Sequence, residues 1–195
     1  SIDRALPEDL DAIARLYAGY MFESYFLKLG LPFVRRYLEM IIRSGDCIAI
    51  TAKDKAVVGF IMAACDTRRM AFEMLSDAAL FRAWLIRAVS HPLVVLRSLE
   101  LALYPLKTGL RGISAEFLFI AVEPAYQKMN IATRLIKETL KSMGERGVKA
   151  VKVTTLSGNQ AVNTLLSKLG FKMERDFTLF GKPMYLYSFS WHGAS

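Results

Sequence analysis

Apolar and polar positions alternate along this chain with two different periods, and the switches between them mark out the elements. Residues 1–5 read as a short strand. Pro7-Glu8-Asp9 then opens a helix whose acidic first turn is favourable against the helix dipole, and Ile13, Leu16, Tyr17 and Tyr20 recur at helical spacing. A second helix covers residues 32–43. Residues 47–52 and 57–64 are strand-like runs joined at Lys53-Asp54-Lys55, a hairpin. Residues 66–112 behave differently. They are strongly apolar, carry scattered arginines (Arg68, Arg69, Arg82, Arg87, Arg97) and are interrupted at His91-Pro92, which predicts two amphipathic helices broken at the proline. Ordinary core packing accounts for that stretch better than membrane contact does; a lid over a substrate site and a dimer surface are the alternatives.

The second half is more regular. Residues 116–122 are apolar on both alternating faces apart from Glu116, which suits a central strand covered on both sides. Residues 131–146 form a helix with Ile131, Leu135, Ile136, Leu140 and Met143 on one side. Residues 150–155 are a β-branched strand. Residues 159–169 are a helix with Ala161, Val162, Leu165, Leu166 and Leu169 inward, ended by Gly170. Residues 171–179 and 184–191 read as a closing pair of strands. The fold class is therefore mixed α/β, with helices covering a sheet.

Composition narrows the function classes. The 195 residues are 53% hydrophobic and 23% charged, enough to bury a core and unlike a disordered chain. No linker, repeat or low-complexity tract divides them. The formal net charge of +8 fits nucleic acid, an anionic surface or a phosphate-rich small ligand. Between Gln127 and Lys152 lie Lys128, Arg134, Lys137, Lys141, Arg146, Lys149 and Lys152, opposed only by Glu138 and Glu145. That concentration around one loop–helix unit suits a polyphosphate, although a solvated helix face has the same composition. No recognition motif accompanies the charge, so nucleic acid is not expected as a partner. Cys47 and Cys65 lie in apolar strand-like runs without metal-type spacing, and the two histidines stand alone; no metal and no disulfide are expected, and a cytoplasmic setting fits. No run of about 18 apolar residues marks an integral membrane segment.

The chemistry concentrates in Ala121-Val-Glu-Pro-Ala-Tyr-Gln-Lys-Met-Asn-Ile-Ala-Thr-Arg-Leu-Ile136. A strand ends at Pro124, a loop follows, and a helix begins near Asn130. Free N–H groups at a helix N-terminus, reinforced by Lys128 and Arg134, make an anion site over about residues 128–133. The stretch resembles the acetyl-CoA motif of the GNAT acetyltransferases, V-x-P-x-x-[QR]-x-x-G-x-[GA], through Val122, Pro124, Gln127 and Ala132. Asn130 stands where the motif has its first glycine; asparagine tolerates left-handed geometry and caps helices well. Downstream, Asn159, Gly170 and Phe171 match the family's N-x-x-A-x-x-x-Y-x-x-x-G-F segment, with Val162 in place of the alanine and Leu166 in place of the tyrosine.

The resemblance covers residues 113–191 well and implies a GNAT-type fold over a single domain, 1–195. That fold has a twisted, mostly antiparallel sheet with a splayed central strand, helices on both faces and, here, a helical insertion at about 66–112. It implies acetyl-CoA or another acyl-CoA as co-substrate, direct transfer to a primary amine of a small molecule, and a homodimer as one assembly. The cofactor-binding residues it points to are Ile120, Ala121 and Val122 on the strand, Gln127, Lys128, Met129, Asn130, Ile131, Ala132 and Thr133 in the loop and helix start, and Asn159. Glu116 is the candidate general base, since partial burial raises a carboxyl toward a useful range; at the strand's exposed start it would do nothing chemical. Leu166 cannot protonate the departing thiolate, which leaves Tyr126, Tyr185 or solvent. The acceptor pocket falls to residues 17–36 and 66–112, whose aromatics Tyr17, Tyr20, Phe22, Tyr25, Phe26 and Phe33 line a pocket or form core. A non-catalytic acyl-CoA-binding module and a protein N-acetyltransferase are the other functions the resemblance allows.

Overall fold

The structure, a computed structural model, describes residues 1–21, 24–90 and 92–191. Its first element is β1 (Ile2–Arg4). The expected helix at Pro7 opens instead as a single 3-10 turn, Pro7–Asp9, and α1 proper spans Leu10–Tyr20. The turn is tightened because the Asp9 carboxylate accepts the Leu6 N–H at 2.9 Å and pairs with Lys53 at 2.8 Å. A short α2 (Tyr25–Lys28) and then α3 (Leu31–Arg43) follow. The hairpin is β2 (Cys47–Asp54) and β3 (Ala56–Ala64). Its turn is tighter than the three residues expected: a bulge after Ala52 carries Lys53 and Asp54 into the strand, and Lys55 alone turns the chain at φ 59°.

The stretch expected as two helices holds four: α4 (Thr67–Ser76), α5 (Ala78–Ser90), α6 (Pro92–Ala102) and α7 (Tyr104–Thr108). Side-chain caps explain the extra boundaries. Asp66 accepts the Arg68 N–H at 2.8 Å and starts α4, while Asp77 accepts the N–H groups of Ala79 and Leu80 at 2.9 and 3.0 Å and starts α5. Pro105 sits in the first turn of α7, where its missing N–H costs nothing. The break at Pro92 is present as the α5–α6 boundary; His91 lies outside the described residues. Core packing absorbs the inner faces of this stretch, through Met70, Met74, Leu80, Trp84, Val94 and Leu101, while the outer side chains of α5 and α6 are exposed.

The rest runs β4 (Ala115–Val122), α8 (Ile131–Glu145), β5 (Ala150–Leu156), α9 (Gln160–Lys168), β6 (Lys172–Leu179) and β7 (Lys182–Ser190). In α9 the inward face is carried by Asn163 and Leu166, and Ala161 is exposed. Gly170, at φ 86°, supplies the left-handed residue after α9, and the Phe171 N–H then closes on the Leu166 carbonyl at 3.0 Å.

The seven strands among the described residues form one sheet in the order β1-β2-β3-β4-β5-β7-β6, antiparallel except for β4 and β5. Two apolar cores lie on its two faces. One packs α1, α2 and α3 against Phe60, Met62 and Ala64 of β3, with Leu80 and Val94 arriving from α5 and α6. The other packs α8 and α9 against Val58, Ile61 and Ala63. Successive β3 side chains thus serve opposite cores, which is why its sequence reads as an unbroken apolar run.

Candidate functional site

The two central strands part company. β4 pairs with β5 only from Ala115 to Phe117 against Val151 to Val153, although β4 continues to Val122 and β5 to Leu156. A bulge at Leu118 coincides with the parting, since Phe117 faces Ala63 and Phe119 faces Met62 on the other neighbour. Bulges bend a strand and end pairing. The end of β5 is pinned away by Asn163, whose Nδ2 donates to the Leu156 and Ser157 carbonyls at 3.1 and 3.0 Å while its Oδ1 accepts from Thr155. A strand edge with unclaimed backbone groups is therefore left along residues 118–122, at the floor of a groove of about 2400 Å³.

At the end of β4 the chain makes a 3-10 turn, Pro124–Tyr126, and enters α8. Lys128 and Asn130 are both left-handed, at φ 66° and 58°. Alternation with left-handed residues gathers successive N–H groups into an anion-binding concavity. Asparagine enters this region at little cost; a lysine there is uncommon and strained by about 1 kcal/mol or more. Asn130 keeps the loop through its backbone alone: its side chain makes no cap bond, contrary to the capping expected of it. The first-turn N–H groups of α8 thus face the groove uncapped, at the positive end of a 15-residue helix. Gly59 on β3 allows the loop to sit close. A Cβ there would lie 3.1 Å from the Ala121 carbonyl oxygen and 3.5 Å from Ile131.

Most of the expected cofactor residues line this one groove: Ile120, Ala121 and Val122 on the floor, Gln127, Lys128, Asn130, Ile131, Ala132 and Thr133 at one end, and Asn159 opposite. Met129 does not; it points outward, 60% exposed. The basic cluster expected around the loop is smaller than its sequence suggests. Arg146 is spent on the carbonyls of Gly45 and Cys47, at 2.9 and 3.2 Å, and Lys152 is buried on the strand. Lys128 and Arg134 remain exposed beside the loop, with no ion-pair partner among the described residues.

Glu116 lies at the point where the strands separate. It is not at an exposed strand start but buried, facing Lys152 across the last paired residues. Lys152 Nζ stands 3.4 Å from Glu116 Oε2 and donates to the Thr108 carbonyl and hydroxyl at 3.2 and 3.3 Å. The Tyr104 hydroxyl donates to Glu116 Oε1 and meets Thr154 Oγ1 at 2.9 Å. Burial raises the Glu116 pKa above the ordinary carboxyl value, and the Lys152 charge and the Tyr104 hydrogen bond hold the rise back. Burial, then the Glu116 charge, push the Tyr104 phenol well up, so it stays protonated. Tyr104, Thr108 and Lys152 are the members that sequence reasoning missed.

The candidate acids separate. Tyr126 stands on the cofactor loop, its hydroxyl donating to Asp54 at 3.0 Å. Tyr185 is not in the groove: it pairs with Thr155, and its ring meets Tyr187 edge-on over the α8–α9 core. Leu166 is fully buried and offers no hydroxyl. Of the aromatics expected at the acceptor end, Tyr20, Tyr25, Phe26 and Phe33 line the groove, and Tyr17 belongs to the core. Phe22 lies outside the described residues. No group of three or more His, Cys, Asp or Glu side chains that could hold a metal occurs among the described residues.

A sequence model described as the Acetyltransferase (GNAT) family matches residues 10–171, and the chain belongs to that family. No curated protein sequence matches it. Among solved structures it is similar to NAA60 of Arabidopsis thaliana in complex with a bisubstrate analogue, with 16% identity over 100% of this chain and 99% of that one and a TM-score of 0.64. It is also similar to the ribosomal-protein-alanine N-acetyltransferase of Brucella melitensis (16% identity, 98% and 99% covered, TM-score 0.64). A third is an aminoglycoside 6'-acetyltransferase type Ii (18%, 97% and 96%, 0.63). At these identities the likeness is one of fold.

Proposed function

We propose that this protein transfers an acyl group, acetyl in the first instance, from an acyl-CoA thioester to the primary amine of a small molecule. The observation that carries the reading is the open edge of β4 along residues 118–122, which lies between the paired Glu116 and the uncapped start of α8. A pantetheine arm pairs with that edge, and its pyrophosphate sits on the N–H groups of residues 130–133 with Lys128 and Arg134 beside it. The amine nitrogen attacks the thioester carbonyl, a backbone N–H of the open edge steadies the oxyanion, and the thiolate departs. The amine gives its proton to the Tyr104 oxygen as the Tyr104 proton moves to Glu116, because both side chains line the groove and the Tyr104 hydroxyl already donates to that buried carboxylate. The thiolate is stable enough near neutral pH to leave without a buried acid, which fits a leucine at position 166.

The acceptor end favours an amine with an apolar body. Tyr25, Phe26, Phe33 and Phe119 line it, and the groove's acidic side chains, Asp66 and Glu116, are engaged in capping α4 and pairing with Lys152. That wall does not suit a polycation. The left-handed Asn130 supplies the loop geometry that a glycine would, so its departure from the motif does not argue for a weakened acyl-CoA site. A cytoplasmic setting fits the free thiols Cys47 and Cys65.

Release of free thiol from acetyl-CoA, followed with a panel of aromatic, aliphatic and polycationic amines, tests the reading. Amine-dependent release that favours aromatic amines supports it. Acetyl-CoA binding with no release on any amine makes the protein a binding module, and failure to bind acetyl-CoA at all removes the acyl-CoA reading.

A further inference from the structure

The β6–β7 hairpin turns on two residues, Phe180 and Gly181, since Leu179 pairs with Lys182. Both are left-handed, at φ 52° and 77°. Two-residue hairpin turns that need this backbone favour asparagine and glycine. Gly181 meets the demand without cost. Phe180 does not: a bulky side chain at positive φ is strained, and strain of that kind persists only where the surroundings over-determine it.

The surroundings of Phe180 do so from three directions. Its ring stacks on Tyr25 of α2, with centroids 5.6 Å apart and planes at 29°. The Arg97 guanidinium of α6 lies 5.5 Å from the ring centroid. Its N–H donates to Glu100 Oε1 of α6 at 2.8 Å. The same Glu100 oxygen accepts from Lys107 of α7 at 3.2 Å, and Lys107 donates onward to the Thr178 carbonyl at 2.8 Å. The hairpin tip is thus tied to the helical insertion at Thr178 and at Phe180. β7 and β6 lie beyond β5 in the sheet, whereas α2 and α6 pack on the core over β3, and Phe180 packs there with them. These contacts therefore bridge the two halves of the sheet that part between β4 and β5. Leu179, Phe180, Tyr25 and Tyr104 line the groove, so the bridge stands at its acceptor end, while Glu100 and Lys107 secure it from outside the lining.

We propose that Phe180 determines acceptor specificity: it closes the acceptor end behind a compact amine and excludes the N-terminus of a polypeptide, and Glu100 is the positioning residue that fixes it. The proposal rests on the acyl-transfer reading above and names which primary amines that site admits.

Thiol release from acetyl-CoA is compared on phenethylamine and on a tetrapeptide of alanine with a free N-terminus. The wild type should use phenethylamine and neglect the peptide. Phe180→Gly suits the left-handed turn, so the hairpin can keep its path without the ring. It should raise kcat/KM on the peptide about tenfold, a gain that general damage to the fold does not give. Glu100→Ala should move it in the same direction, whereas Glu100→Gln keeps an oxygen for the Phe180 N–H and should stay near the wild type. Amide hydrogen exchange reads the bridge without any turnover: the Phe180 N–H should be protected in the wild type and exchange about tenfold faster in Glu100→Ala. Equal use of both amines by the wild type, no gain on the peptide in Phe180→Gly, or an unprotected Phe180 N–H in the wild type would each overturn the proposal. Absence of thiol release on any amine would instead overturn the acyl-transfer reading and the specificity role with it, and exchange would still decide whether the bridge is closed.

Discussion

Replacing Lys152 with methionine keeps the length of the side chain and removes only its charge and donors. The Lys152 and Glu116 side chains are 6% and 8% exposed, so the substitution leaves a carboxylate buried without its cation. Breaking a buried pair from one side costs about 3–5 kcal/mol. The Thr108 carbonyl and hydroxyl lose a donor as well, worth about 1 kcal/mol more, which places the loss at the upper end of that range. Glu116 can escape by taking up a proton. Burial already raises its pKa, and Lys152 is the strongest influence holding it down, so the variant's carboxyl titrates higher still. A group whose folded pKa is raised contributes stability below its unfolded pKa and loses it as pH rises through the folded value. The damage from Lys152→Met should therefore be larger at an alkaline pH than at one near the ordinary carboxyl pKa. Urea unfolding at the two pH values measures it, and a loss of 4 kcal/mol should lower Tm by about 8–16 °C in a chain of this size. Adding Glu116→Leu removes the orphaned carboxylate and should recover most of the loss. A loss under about 1 kcal/mol at the higher pH, or one that does not depend on pH, would refute the burial argument.

Tyr104→Phe keeps the ring and removes the proton path to Glu116. The rate of amine-dependent thiol release should fall about 100-fold with little change in acetyl-CoA affinity, as steady-state kinetics with calorimetry would show. Asn130→Gly should leave acetyl-CoA binding within about threefold, whereas Asn130→Val, forced into φ near 58°, should cost about 1–3 kcal/mol of stability and weaken binding in the same titration. Asp77→Ala removes the start of α5 and the partner of Arg36, with an expected loss of about 1 kcal/mol in thermal unfolding. Burial tends to raise the Asp77 pKa, but the Arg36 and backbone hydrogen bonds outweigh it and the net shift is downward. Its contribution is present above the ordinary carboxyl pKa and lost as pH falls through the lowered one, so wild type and variant should converge in acid.

How much of this could be read from the sequence follows from the range of each interaction. The hairpin, β4 and α8 were legible because their signals are local: two-sided apolar runs, and the spacing of Leu135, Ile136, Leu140 and Met143 on one face. The cofactor loop was legible because its matching residues are contiguous. Asp77 was not, since a single acid in an apolar stretch becomes a helix boundary only when its carboxylate turns back onto Ala79 and Leu80. Lys152 counted as one more surface charge because its partners lie 36 and 44 positions away on β4 and α7. Asn163 gave a signal that could have been used. A polar residue one turn before Leu166, on the buried stripe of a short helix, needs partners, and the exposed carbonyls where β5 ends supply them.

The buried cluster also decides whether Glu116 works as a base or only as an anchor for α7. Structure alone allows an ion pair that fastens the helical segment to the sheet, and stability measurements would look the same in both cases. The pH dependence of kcat/KM separates them. If Glu116 takes the amine proton, the rate falls on the acid side as the carboxylate protonates, and the position of that limb belongs to the cluster as a whole. Lys152 and Tyr104 both lower the Glu116 pKa against the larger effect of burial. Removing either must then move the acid limb to higher pH, with Lys152→Met moving it further, because its charge is the larger of the two influences. Glu116→Gln should abolish the limb and most of the rate together. A limb that stays in place through Lys152→Met and Tyr104→Phe, with activity surviving Glu116→Gln, would assign the proton to another group and leave this cluster as the bolt that joins the helices to the sheet.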